Sequence, residues 1–78
     1  MTRSPVRIGL RSTALAAATY HESQSALTVE FFQGAVYLYH GVPRGIYRDL
    51  LQAPSQGAYF NQNIRKRFPH EKVPSGEN

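Results

Sequence analysis

The sequence predicts an α+β fold: a three-stranded antiparallel sheet followed by two short helices, in the order β-β-β-α-α, within a single domain. Three observations carry this. Leu27, Val29 and Phe31 alternate with Thr28 and Glu30, the period-2 signature of a strand with one buried face. Gln33–Gly34 then interrupts the pattern before a second β-prone run, Val36–Tyr37–Leu38–Tyr39. After Val42 the apolar spacing changes from two to four, as a helix requires.

The elements follow in order. The first strand spans about Ala14 to Tyr20; its alanines have weak β propensity, but a third strand gives the hairpin support that an isolated pair lacks. The register of the central hairpin turns on its loop. With a two-residue loop at Gln33–Gly34, Val29 lies opposite Leu38 and Glu30 opposite Tyr37. Tyr37 and Tyr39 then share a face with Thr28 and Glu30, away from the core. With a three-residue loop, Phe32 to Gly34, and a bulge, Val29 lies opposite Tyr37 and both tyrosines turn toward the core. The sequence leaves both registers open.

Pro43 fits the first turn of the first helix, where its missing N–H costs nothing. Ile46 and Leu50, with Tyr47 and Leu51 beside them, give that helix one apolar face, and Arg44 and Arg48 project from roughly the opposite side. Pro54 breaks the chain, Ser55 can cap the second helix, and Gly57 in its opening turn permits close backbone approach. Phe60, Ile64 and Phe68 recur at four-residue spacing and should face the core. Lys66 points away from them, Arg65 and Arg67 flank the stripe, and Pro69 ends the helix. The chain thus divides into a flexible basic arm, 1–11, a folded region, 12–68, and a polar tail, 69–78.

At 78 residues such a domain buries only about 60% of its unfolded surface. Hydrophobic residues at 41% and aromatics at 12% suffice for a core and argue against disorder. Cysteine is absent, which rules out a disulfide framework and thiolate metal sites and fits a reducing cytoplasm. Residues 1–11 contain no apolar stretch of signal-peptide length, and the alanine-rich run at 14–18 is far short of the roughly 20 residues a bilayer needs. These features lead to the expectation of a cytoplasmic protein with no membrane partner.

Charge is uneven. The net +4 sits at the ends, with Arg3, Arg7 and Arg11 in the arm and Arg65, Lys66, Arg67 and Lys72 near the other end. Such a balance favours acidic partners, phosphate backbones among them. Arg44, Arg48, Arg65, Lys66 and Arg67 are the candidate phosphate contacts, and the last three also complement the negative end of a helix dipole. Tyr37 and Tyr39, if exposed, would form a platform for stacking unpaired bases. Asn61 is placed to bond backbone in the preceding turn or, alternatively, a ligand.

Catalysis finds little support in the residues. His21, His40 and His70 lack the spacing of a zinc site, and Asp49, the one aspartate, is set to balance Arg48 rather than act as a base. Ser12, Ser23, Ser25 and Ser55 sit in no nucleophile motif, and no glycine-rich phosphate loop appears. The expectation is a non-enzyme without metal or cofactor.

The ordered residues carry a resemblance as well. Ser12, Leu15 and Tyr20 are followed by Leu27-x-Val29-x-Phe31, Gly34, Tyr37–Leu38–Tyr39, Val42–Pro43, Tyr47 and Leu50. Ser55-x-Gly57-x-Tyr59–Phe60–Asn61, Ile64 and Phe68 complete the set. The pattern resembles the KTSC domain, a short bacterial module named from the C-terminal extension of some lysyl-tRNA synthetases and also found free-standing. It covers about Ser12 to Phe68, with a central Tyr-x-Tyr as its hallmark. His21 stands where an aspartate is frequent, Gln33 replaces a usual asparagine, and Pro54 departs from the pattern. The resemblance implies RNA binding, a role proposed for the family. Residues and resemblance together predict a small non-enzymatic module for RNA or single-stranded nucleic acid. The alternative is a protein-interaction module for an acidic partner surface, since exposed tyrosine and arginine serve either.

Overall fold

The computed structural model describes residues 5–74 and arranges them as one antiparallel sheet with a helical layer packed on one face. The strands are β1 (Arg7–Gly9), β2 (Leu15–His21), β3 (Ala26–Phe31), β4 (Val36–His40) and β5 (His70–Lys72), lying in the order β1-β2-β3-β4-β5. Between β4 and β5 come α1 (Arg44–Gln52) and α2 (Gln56–Phe60), and α2 continues as a π-helical turn, Asn61–Arg65.

The expected three strands are β2, β3 and β4, so the three-stranded sheet is corrected to five strands. The additional two lie in the stretches read as arm and tail. Both are three residues long, and β5 is exposed throughout. They are held by pairing to a strand already in place, Ile8 opposite Ala18 and Glu71 opposite Leu38, rather than by a buried face of their own. Without that face they leave no periodicity to read. Their charged residues also suit an edge, where they discourage pairing with another chain. Arg3 of the arm lies outside the described residues.

The central hairpin adopts the three-residue loop. Val29 pairs with Tyr37 and Leu27 with Tyr39. The Gly34 N–H donates to the Phe31 carbonyl at 2.9 Å, and the Phe31 N–H donates to the Ala35 carbonyl at 2.9 Å. Gly34 takes φ +103°, a conformation that a side chain would strain, and so glycine fixes the bulged loop that sets the register.

That register puts Tyr37 and Tyr39 on the face shared with Leu27 and Val29. Leu15, Leu27, Val29, Tyr39, Val42, Leu50, Phe60 and Ile64 form the buried core between sheet and helices. Phe60 meets Tyr39 edge-on at 5.4 Å and Phe31 at 5.7 Å. At the other end Tyr20 stacks on Tyr47 at 5.0 Å and donates its hydroxyl to the Val42 carbonyl at 2.7 Å, fixing the entry to α1.

Ser55 caps α2 as expected, its Oγ accepting the Ala58 N–H at 3.3 Å. A β-carbon on Gly57 would sit 3.4 Å from Ser12 Oγ, so its small size admits the loop before β2. Gln56 is a buried polar residue: its side chain accepts the Arg11 N–H and donates to the Leu51 carbonyl at 3.2 Å. The amide thereby ties the strand-one side of the sheet to the link between helices. In the π turn it is Asn63, not Asn61, that bonds preceding backbone, donating to the Tyr59 carbonyl at 3.2 Å. Asn61 is exposed and accepts from Arg65 at 3.5 Å.

Candidate nucleic-acid interface

Where the hairpin, the loop before β2, the π turn and β5 converge, they enclose a cleft of about 550 Å³. Its aromatic base is Phe31, Tyr37 and Tyr39, positioned by the hairpin register. Thr13 and Ala14 form one wall; Arg65 and His70 supply nitrogen groups, and Phe32 and Gln33 come from the hairpin tip. Phe31 and Tyr37 meet edge-on at 5.8 Å, which holds the base rigid. The His70 ring lies 4.9 Å from Tyr39 and 5.6 Å from Tyr37, so β5 closes one side of the cleft with an imidazole.

The electrostatics are one-sided. Among the described residues no carboxylate lines the cleft. Glu71, next to His70, instead bonds His40 at 2.9 Å. Burial holds the Tyr39 phenol above its usual range, the positive charge of Arg65 partly offsets this, and Tyr37 adds to it. Tyr39 is only 2% exposed, and unlike Tyr20 its hydroxyl makes no hydrogen bond among the described residues.

Of the candidate residues, the structure brings Tyr37, Tyr39 and Arg65 together. Tyr39 is buried and Tyr37 half-buried, so they are not the open stacking platform that the two-residue loop would have made. Arg44 is ion-paired with Glu22. Arg48, Lys66 and Arg67 are exposed and lie outside the cleft lining.

Phe32, Gln33, Thr13 and His70 are cleft residues that sequence reasoning missed. The available signal was Phe32, a large aromatic in a turn where polar residues are the norm. The histidines stand apart: His21 bonds Thr28 at 2.8 Å, His40 bonds Glu71, and His70 packs on the tyrosines. Among the described residues no three metal-ligating side chains gather, and no helix is long and apolar enough to cross a membrane.

Comparison with known proteins adds four findings. The profile of the KTSC domain matches residues 11–68. The chain is 40% identical over 55 residues to a lysine–tRNA ligase of Nostoc punctiforme, covering 70% of this chain and 10% of that protein. It is 43% identical over 56 residues to an uncharacterized protein of Stutzerimonas stutzeri, covering 72% of this chain and 79% of the relative. The chain therefore spans about a tenth of the ligase but most of the small relative. The crystal structure of a KTSC domain protein from Yersinia pestis superimposes with a TM-score of 0.84 at 26% identity, covering 91% of this chain and all of that one.

Proposed function

The chain belongs to the KTSC domain family, and we propose that it is a non-enzymatic module that binds single-stranded nucleic acid, RNA by preference. The observation that carries this is the cleft: Arg65 and two sheet tyrosines line one pocket with no carboxylate among the described residues, on a chain of net charge +4. Aromatic surface beside a cation is the combination that engages unpaired bases and their phosphates, whatever the sequence. Similarity to lysine–tRNA ligases, whose name specifies an RNA substrate, favours RNA over DNA. A cysteine-free chain suits the reducing cytoplasm where such RNA is found.

The test is a fluorescence-anisotropy titration of labelled U12 and dT12 across a range of salt. Affinity falls as salt rises, with a log–log slope of about −0.7 per phosphate contacted. Arg65→Ala weakens binding and makes the slope shallower, whereas Arg44→Ala, already paired with Glu22, changes it less. No binding of either oligonucleotide at low ionic strength would end the proposal. A protein-interaction role has one observation in its favour: Val6 and Phe32 are large apolar side chains, 65% and 64% exposed. Nuclease-resistant capture of a single protein partner, with no oligonucleotide binding, would select that reading instead.

A further inference from the structure

Phe32 is the apolar side chain whose exposure the fold least explains. The other phenylalanines all pack in or against the core, while Phe32 remains 64% exposed at the cleft mouth. Its backbone is nonetheless fixed. The Phe32 N–H donates to the Ala14 carbonyl at 3.0 Å, and the flanking turn is closed by the Gly34-to-Phe31 hydrogen bond. A ring held in the open on a stiff tip loses little freedom when something stacks on it.

We propose that the cleft is a single-nucleotide pocket, in which Phe32 stacks one unpaired base and Arg65 holds the adjoining phosphate. The proposal rests on the nucleic-acid reading above and narrows it to one position. At about 550 Å³ the cleft has the capacity of a site for one small ligand, not for a run of bases. Its groups match the parts of a nucleotide. Phe32 offers an exposed ring for the base, Arg65 a guanidinium for the phosphate, and Tyr39 a phenol in the cleft lining. Gln33 and Thr13 add an amide and a hydroxyl at the rim, able to meet either donors or acceptors on the base. That no carboxylate lines it among the described residues favours an anionic ligand over a neutral or cationic one.

The test uses the full chain, with U12 for affinity and the dinucleotide UpU, which has one bridging phosphate, for location by amide chemical shifts. UpU should move the amides of Phe32, Gln33, Gly34 and His70 and reproduce at those positions the shifts caused by U12. Phe32→Ala should lower U12 affinity by roughly 5- to 150-fold, the range for losing one stacked base. Phe32→Trp should restore it, and thermal melts should show all variants folded, because the ring is exposed. Val6→Ala, which removes the other exposed apolar side chain, serves as control and leaves binding unchanged. Tight U12 binding that is indifferent to Phe32→Ala, with shifts elsewhere, overturns the single-nucleotide pocket and leaves the nucleic-acid function standing. A wild-type chain that binds no oligonucleotide overturns both.

Discussion

Tyr39→Ala is the sharpest probe of the hairpin register on which the cleft depends. Tyr39 is 2% exposed and packs edge-on against Phe60 at 5.4 Å, at the centre of the contact between sheet and helices. Removing a buried aromatic ring costs about 3–5 kcal/mol through lost transfer energy and the cavity left behind, part of it being the ring–ring contact, worth roughly 0.5–1.5 kcal/mol. A 78-residue domain has a total stability of roughly 4–12 kcal/mol, so the substitution removes a large share of it. In a domain of this size each kcal/mol shifts Tm by about 4–8 °C, which gives an expected fall of at least ~12 °C. Urea unfolding followed by far-ultraviolet circular dichroism measures the loss directly. Tyr39→Phe, which keeps the ring and removes a hydroxyl with no partner among the described residues, should cost under about 1 kcal/mol. Tyr37→Ala, at a half-buried position, should fall between the two. A loss below ~1 kcal/mol for Tyr39→Ala would mean that the ring is not in the core and that the two-residue loop sets the register after all.

Three further outcomes follow from the same geometry. Gln56→Leu keeps the volume but strips partners from the Arg11 N–H and the Leu51 carbonyl, so unfolding experiments should show a loss of about 1–3 kcal/mol; a neutral result would refute its role as a tie. Ser55→Ala removes the cap on α2 and should cost about 1 kcal/mol, with Ser55→Asp retaining stability; equal melts for all three would show the cap to be inert. Burial raises the Tyr39 and Tyr47 phenols above 10.0, so the unfolded chain ionises first as the solution becomes alkaline. Their contribution is intact below pH 10 and is lost as pH climbs through the folded-state values. Tyr39→Phe and Tyr47→Phe should each flatten that alkaline decline, and a stability–pH curve identical to wild type in both would refute the assignment.

What was legible in the sequence is what side-chain burial dictates. Leu27, Val29 and Phe31 announced β3 through alternation, and Phe60 and Ile64 announced a helix through spacing, because each pattern exists to cover one face. Ser55 and Pro43 marked helix starts because the unpaired groups of a helix end demand particular residues. β1 and β5 escaped notice because they are short and hold to the sheet by backbone pairing and by polar or edge contacts, such as Arg7 to Glu30 and Glu71 to His40, which leave no apolar periodicity. The pairing of Arg44 was hidden for a related reason. Spacing along a helix says which side chains share a face, but not that Glu22, from the turn after β2, stands ready to neutralise Arg44. The π turn adds a register change that a 3.6-residue count does not contain, and it ends at Arg65, which lines the cleft.

The two registers give the central tyrosines different surroundings, and the observed geometry sets Tyr39 in both the core and the cleft lining. A phenol has an apolar ring and a polar tip, and a core needs only the ring. With Val29 opposite Tyr37, the Tyr39 ring packs on Phe60 while the same residue lines the cleft beside Arg65. The stacking surface that the sheet thereby gives up reappears one loop away, at Phe32, and the same three-residue loop accounts for both. Its bulge turns the tyrosines inward and leaves an aromatic at the tip, its backbone anchored to Ala14. Shortening the loop would therefore disturb the core and the cleft mouth together, so stability and any nucleotide affinity should be lost in step.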